Sequence, residues 1–414
     1  MAIIRYFTTV AARLVKETVN PVKGFLGRPS NNLSSGLVGL ANVGKSTFFQ
    51  AITKSSLGNP ANYPFATIDP EKSFIVVQLE ILDHYQKIFK SEKSIPSTHT
   101  LYDIAGLTRN ASSGEGLGNK FLADIRQVDG IFQVVRGFKD DEIVHIEDNK
   151  VDPVRDLIIV NDELILKDLE FVELGLSKVE KLLKRPVPGT NKQNLQLEHD
   201  TLEIIQTMLY DGIKIVNGSW NEEQIDIINS YNFLTAKPTV FLLNVNELDY
   251  GLQKNEFLHD VKTWIYENCP NDKLVLFSAA YETKLNQLSV EDPASLPDFI
   301  DNIGSSRGSA IPEIVNEMRR ALNLISFYTC GPKEARQWTI RNNSRAPEAA
   351  GVIHTDLQKT FISSIVYKWD DLKNYPEFNE ASLKSSGKQY RHGKKYIVED
   401  GDVLIVKAAG GKVR

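Results

Sequence analysis

The chain has 414 residues, of which 42% are hydrophobic and 24% charged, and its formal net charge is −5. This length favours two or three domains over a single core, and the composition is typical of globular proteins. The negative net charge excludes a protein that coats nucleic acid over its whole surface, although a local basic face is compatible with it. Two cysteines cannot form a disulfide framework and favour a reducing compartment. No stretch approaches the roughly twenty apolar residues of a membrane helix.

The N-terminal end is basic and amphipathic. Residues 1–35 carry five Lys or Arg side chains against the single acid Glu17, and their apolar residues recur at helical spacing. This pattern is typical of a mitochondrial transit segment, so we expect residues 1–33 to be an extension before the first domain. The alternative is a short disordered or capping extension on a cytosolic protein.

Five apolar runs predict buried parallel strands in an α/β, doubly wound sheet. They are residues 36–40, 98–104, 130–136, 238–244 and 273–279. Four of them, all but the third, end at a polar motif. Doubly wound sheets bind their ligands at the carboxyl ends of the strands, so these motifs indicate the site.

A helical insertion is predicted between the third and fourth runs. An apolar seam with heptad spacing consists of Ile165, Leu169, Val172, Leu176, Val179 and Leu183. A Pro/Gly-rich break at 185–189 ends it, and a second seam follows with Leu202, Ile205 and Leu209. This pattern predicts an antiparallel helical hairpin inserted at about 150–235. The alternative is an ordinary crossover helix packed on the sheet.

Short strands and turns replace the longer helices after residue 322. We therefore divide the chain into a first domain at 34–322 and a small α+β domain at 323–409. Within the second, residues 388–396 interleave basic and aromatic side chains. Such a segment can pair with phosphates and stack on bases, or it can be a solvated hairpin.

The segment Gly39-Leu40-Ala41-Asn42-Val43-Gly44-Lys45-Ser46 matches the P-loop pattern and lies between a predicted strand and a predicted helix. Backbone N–H groups in such a loop surround a polyphosphate. Lys45 would reach the outer phosphates, and the Ser46 hydroxyl would bind Mg²⁺. The residues expected to contact the nucleotide here are Asn42, Val43, Gly44, Lys45, Ser46 and Thr47.

Two further positions are expected near the outer phosphate. Asp103 and Gly106, in Asp-Ile-Ala-Gly, close the second strand. The Asp103 carboxylate can hold Mg²⁺ through water, and the Gly106 N–H can contact a γ-phosphate. Thr67 lies between this motif and the P-loop, where a switch loop would supply a second hydroxyl to Mg²⁺.

Asn244-Val245-Asn246-Glu247 ends the fourth strand, where a guanine-specific protein carries Asn-Lys-x-Asp. Val245 stands in place of the lysine, and Glu247 in place of the aspartate that accepts two hydrogen bonds from guanine. The added methylene of Glu247 should spoil that geometry, whereas adenine lacks those donors and loses nothing. After the fifth strand, backbone N–H groups would close over the base at Ser278, Ala279 and Ala280.

With these motifs the chain resembles the Obg-like ATPases, the YchF subfamily of the Obg family. The resemblance runs from about Ser35 to Ala408 and is carried by residues 39–47, 63–70, 103–107, 114–119, 244–247 and 393–402. It implies a G domain, a helical hairpin inserted in it and a C-terminal TGS domain of β-grasp type. It also implies ATP hydrolysis, Mg²⁺ as cofactor, and association with ribosomes or ribosomal RNA. The basic N-terminus suggests a mitochondrial member, with a cytoplasmic one as the alternative.

Leu107 stands where Ras-like enzymes place a water-orienting glutamine. This implies slow intrinsic hydrolysis or another way of positioning water. Residues 108–113 contain no histidine, so no general base is assigned. Ala41 replaces a proline common in the family, a small change for phosphate binding. Asn42 could ligate K⁺ beside the phosphates.

Three functions are compatible with the sequence. The first is a slow, Mg²⁺-dependent ATPase that switches conformation on a ribosome or another large partner. The second is a GTPase with a relaxed base site, and the third is a nucleotide-stabilised RNA-binding scaffold with negligible turnover. We expect a monomer that binds neither DNA nor membranes.

Overall fold

The computed structural model describes residues 25–28, 30–56, 72–77, 80–104, 118–140, 150–185, 191–304 and 308–409, and the statements below concern these. The strands are β1 (Ser34–Val38), β2 (Lys72–Val76), β3 (Lys93–Ile95), β4 (Thr98–Asp103), β5 (Gly130–Arg136), β6 (Thr239–Asn244), β7 (Lys273–Phe277), β8 (Leu324–Cys330), β9 (Glu334–Arg341), β10 (Phe361–Tyr367), β11 (Tyr390–His392) and β12 (Val403–Ala408). The α-helices are α1 (Lys45–Ser56), α2 (Glu80–Phe89), α3 (Gly118–Gln127), α4 (Pro153–Lys184), α5 (Lys192–Tyr210), α6 (Glu222–Tyr231), α7 (Glu247–Leu252), α8 (Leu258–Asn268), α9 (Ala279–Glu291), α10 (Leu296–Asn302), α11 (Ile311–Ala321), α12 (Ala346–Ile353), α13 (Thr355–Lys359), α14 (Trp369–Leu372) and α15 (Glu380–Ser385).

The first sheet has the strand order β2-β4-β1-β5-β6-β7. All neighbours pair in parallel except β2, which is antiparallel to β4. Every residue of β1, β5 and β6 is buried, which explains their runs of apolar residues, although each strand also buries polar side chains such as Ser35, Gln133 and Asn244. The five predicted strands are all present. The sixth, β2, was missed because it is a five-residue edge strand that exposes Phe74.

Helix α4 is a continuous rod of 32 residues that begins on the sheet and ends in a projecting arm. Its first turns, including Leu157, Val160 and Leu164, belong to the core around the sheet. From Ile165 onward it packs with α5 around a separate core that includes Leu202. Residues later in α5 contact residues earlier in α4, so the two helices are antiparallel, as the hairpin prediction requires.

The second sheet has the strand order β11-β10-β12-β8-β9-β3 and is mixed. Its last strand, β3, comes from the first half of the chain and pairs in parallel with β9. Helix α2 also joins this unit, because Tyr85 packs with Tyr328 and Tyr367. Residues 80–95, which the sequence placed within the first domain, therefore pack with the C-terminal one.

A short segment before β1 ties the parts of the molecule together. Arg28 forms a 2.5 Å ion pair with Asp129, whose carboxylate also accepts the Ser34 N–H, and so fixes the start of β1. The Gly27 N–H donates to Asn229 of α6 at 2.6 Å, and Arg341 of β9 donates to the Arg28 carbonyl at 2.8 Å. Among the described residues, no helix is both long and apolar enough to cross a bilayer.

Candidate nucleotide-binding site

The loop between β1 and α1 approaches its neighbours so closely that two positions exclude a side chain. A Cβ on Gly39 would lie 2.4 Å from the Val134 carbonyl oxygen. A Cβ on Gly44 would lie 2.3 Å from Nδ2 of Asn244, and Gly44 also has a φ of +97°. Asn42 has a φ of +61°, so the loop turns back on itself before α1 begins. This curled backbone is the form that cradles phosphate groups.

Lys45, at the start of α1, turns its ammonium group back onto the loop. Its Nζ donates to the carbonyl oxygens of Gly39 at 3.0 Å and Leu40 at 2.6 Å. Burial lowers the pKa of Lys45 to about 8, and the nearby Asp103 carboxylate opposes that shift. Lys45 is only 7% exposed, so its ammonium group is held beneath the loop. A phosphate bound in the loop would lie next to this positive charge.

Ser46 and Asp103 face each other where α1 begins and β4 ends. The Ser46 hydroxyl donates to Oδ2 of Asp103 at 3.0 Å. Burial raises the pKa of Asp103, while the Ser46 hydrogen bond and the Lys45 charge lower it. A hydroxyl and a partly desolvated carboxylate are the hard oxygen ligands that Mg²⁺ prefers, so these two residues fit that ion. Thr67 and Gly106, expected beside them, lie outside the described residues, as does Leu107.

Asn244 joins the P-loop to the base-binding rim, by which we mean residues 244–247 and 278–280. Its Nδ2 donates to the Val43 carbonyl at 3.0 Å, and its Oδ1 accepts the Ala279 N–H at 2.9 Å. The side chain is 3% exposed. Sequence reasoning assigned Asn244 to the base; in the structure both ends of its amide also bind the protein, and Nδ2 keeps a second N–H. We call these two hydrogen bonds the Asn244 clamp. The clamp holds Asn244 in close contact with Gly44, and nothing in the local sequence around Asn244 predicts that contact.

Val245 and Glu247 occupy different environments. Val245 is 2% exposed and packs in the core close to Gly137, so its side chain offers almost no surface to a ligand. A lysine at this position would have to leave that core to cover a base. Glu247 is half-buried at the first position of α7, directly after the helix-capping Asn246. Glu247 is the one acidic residue of the Asn244–Glu247 motif.

The segment 278–280 forms the N-terminal turn of α9. Ser278 caps the helix by accepting the Tyr281 N–H at 3.3 Å. The Ala279 N–H is taken by Asn244. Ala280 is exposed, and its N–H, as the second of the helix, has no intrahelical acceptor. Of the N–H groups expected at the base, that of Ala279 is therefore taken, whereas that of Ala280 is left open by the helix.

These elements come together at the carboxyl ends of β1, β4, β6 and β7, where a doubly wound sheet binds its ligand. The loop, the buried lysine and the paired serine and aspartate define a P-loop nucleotide-binding protein with a GTPase-type sheet.

Comparison with known proteins identifies the family. A family model described as 50S ribosome-binding GTPase matches residues 34–165, and one for the YchF-GTPase C-terminal domain, described as a protein of unknown function, matches residues 324–409. An Obg-like ATPase homolog of Saccharomyces cerevisiae is 51% identical, with 95% of this chain and 98% of the relative covered. Obg-like ATPase 1 of the same yeast is 48% identical, over 96% of this chain and 99% of that one.

A solved structure agrees with these sequence relatives. The structure of the Schizosaccharomyces pombe YchF GTPase matches with a TM-score of 0.83 and 44% identity, over 93% of this chain and all of that one. The chain belongs to the Obg-like ATPase family, also called YchF. The predicted family and fold class are thereby confirmed, as is a nucleotide hydrolase in the coarse sense.

Proposed function

We propose that the chain is a Mg²⁺-dependent ATP hydrolase that acts as a slow nucleotide switch on ribosomes. The observation that carries this proposal is the cluster of Lys45, Ser46 and Asp103 beneath a curled glycine-rich loop. On binding, Lys45 would exchange its two carbonyl acceptors for phosphate oxygens. Ser46 and Asp103 would hold Mg²⁺, which supplies charge neutralisation when bound.

The rim supports ATP over GTP. The Ala279 N–H and the Asn244 amide are engaged with each other, which leaves fewer groups for the edge of guanine. Glu247 is one methylene longer than the aspartate that meets guanine's two N–H donors, and a site that leaves such donors unpaired discriminates strongly. Adenine has no such pair. Against this, the related fission-yeast protein of known structure is called a GTPase, so GTP is the competing substrate.

A continuous piece of chain connects the Mg²⁺-binding end of the sheet to the C-terminal unit, which supports a switch. β4 ends at Asp103, while β3, two residues before β4, lies in the second sheet. Between them, the Ser97 N–H donates to Gln337 of β9 at 3.1 Å. From Ile95 to Asp103 the chain spans about 26 Å at strand rise. A displacement at Asp103 would therefore reach the C-terminal sheet through one segment.

Ribosomes are the proposed partner because the matching family model carries that description. The basic N-terminal residues support a mitochondrial location, which fusion of residues 1–35 to a fluorescent protein would test. Asn42 is exposed on the loop and is the proposed K⁺ ligand. Equal hydrolysis rates in Na⁺ and K⁺ would exclude that role.

Hydrolysis itself is tested by single-turnover measurement with labelled ATP, with and without ribosomes. We expect slow phosphate release that depends on Mg²⁺ and is absent from Lys45→Ala, because that variant lacks the buried cation. Release that stays at background even with ribosomes would instead favour a nucleotide-stabilised scaffold.

A further inference from the structure

Charge is segregated along the helical arm formed by α4 and α5. We define the arm tip as the described residues 177–185 and 191–197. Its charged side chains are Lys178, Glu180, Lys181, Lys184, Arg185 and Lys192. The rest of 150–235 carries fourteen Asp or Glu and only four Lys or Arg. In a chain of net charge −5, the tip is therefore a basic end on an acidic arm.

The basic side chains of the tip are free to meet a partner. All five Lys and Arg of the tip are exposed, while Val179 and Leu195 beneath them hold the two helices together. Lys178, Lys181 and Arg185 are spaced three and four residues apart, which places them on one face of α4 over about 10 Å. Among the described residues, none of these three forms an ion pair. Lys184 lies 3.7 Å from Glu180.

The tip stands clear of the acidic body. α4 leaves the core around the sheet after Leu164 but still contacts the body at Asp168, Phe171 and Gly175. Residues 176–185 therefore extend about 15 Å beyond the last of these contacts at helical rise. Charges in solution are screened over about 8 Å at physiological ionic strength. A polyanion at the tip would therefore experience the positive charge of the tip more strongly than the negative charge of the body.

We propose that the arm tip binds the phosphate backbone of ribosomal RNA. The proposal rests on the ribosome association proposed above and names its contact surface. Protein partners are usually anchored by buried aromatic or aliphatic side chains. The described tip exposes no large hydrophobic residue; the last exposed one before it on α4 is Leu174. Its other exposed side chains include Asn191, Gln193 and Asn194, amides that also contact phosphates and sugars.

The test removes, in the full chain, the charges of the three basic residues that lie on one face of the tip. The variant carries Lys178→Gln, Lys181→Gln and Arg185→Gln, since glutamine keeps helix propensity while removing charge. Binding to ribosomes and to purified ribosomal RNA is measured across a salt series. Each lost phosphate contact lowers the slope of log affinity against log salt by about 0.7 to 0.9, so the slope should fall by about two to three. Affinity at low salt should fall at least tenfold.

A matched control removes three exposed lysines elsewhere, with Lys254→Gln, Lys262→Gln and Lys359→Gln. It has the same net charge as the tip variant and should bind RNA like the wild type. Both variants should bind ATP unchanged, because neither set touches the nucleotide site.

Three results would overturn the proposal, each in a different way. If the wild type binds ribosomes and the tip variant binds them equally well with the same salt slope, the tip assignment fails alone. If the tip variant loses ribosomes but the wild type does not bind naked RNA, the partner is an acidic protein. If the wild type does not bind ribosomes at all, the proposed association and the tip assignment both fail.

Discussion

Replacing Asn244 with alanine should destabilise the nucleotide-binding unit by about 2–4 kcal/mol. The substitution removes two buried hydrogen bonds, one to the Val43 carbonyl and one from the Ala279 N–H. Each leaves a backbone partner unsatisfied, at a cost of about 1–3 kcal/mol. Two such losses sum to about 2–6 kcal/mol. Water entering from the adjacent site would satisfy part of this loss, which places the total in the lower half of the summed range, at about 2–4 kcal/mol.

The measurement follows Trp264 during urea unfolding, with the chain's other three tryptophans replaced by phenylalanine. Trp264 packs edge-on against Phe241 of β6, the strand that ends at Asn244, with 6.3 Å between ring centroids. Asn246→Ala is the matched control, because Asn246 is exposed and only caps α7, a role worth about 1 kcal/mol. A loss for Asn244→Ala no larger than that of the control would refute the clamp.

Three other predictions concern the nucleotide directly. ATP affinity should fall as pH rises above about 8, because burial holds the pKa of Lys45 near 8 and only its charged form attracts phosphate. Titrations between about pH 7 and 9 measure this fall, and Lys45→Arg should flatten it because arginine stays charged. Gly44→Ala should weaken ATP binding by roughly tenfold or more, because the new Cβ adds backbone strain and a clash with Asn244. Gly212→Ala is the control and should leave binding unchanged, because Gly212 also has a positive φ but has open space around it. Glu247→Asp should raise the ratio of GTP to ATP affinity by roughly tenfold, because it restores the shorter carboxylate. The same change at the exposed Glu267 should leave the ratio unchanged. If Glu247→Asp does not change the ratio in a competition assay, Glu247 does not set the choice of base.

The parts of the fold that follow from local sequence could be predicted. Buried parallel strands are rich in apolar residues, so the apolar runs in β1, β5 and β6 were evident, and the spacing of Gly39, Gly44 and Lys45 indicated the P-loop. The arm was evident from an apolar seam that recurs every three or four residues on α4.

The parts that depend on distant residues could not be predicted. The apolar face of α2 at Leu82, Tyr85 and Ile88 is an ordinary helical pattern, and nothing in it tells which of two sheets it will cover. Asn244 bonds to residues 201 and 35 positions away, so its role as a clamp appears only when β6 lies beside the P-loop. The burial of Val245 likewise depends on Gly137 of the neighbouring chain segment.

Base choice at the rim is the central claim, and paired equilibrium titrations of ATP and GTP test it most directly. The full chain is titrated with each nucleotide in Mg²⁺, with Lys45→Ala as the non-binding reference. We predict that ATP binds at least about tenfold more tightly than GTP. Equal binding of the two nucleotides, or tighter binding of GTP, would contradict it.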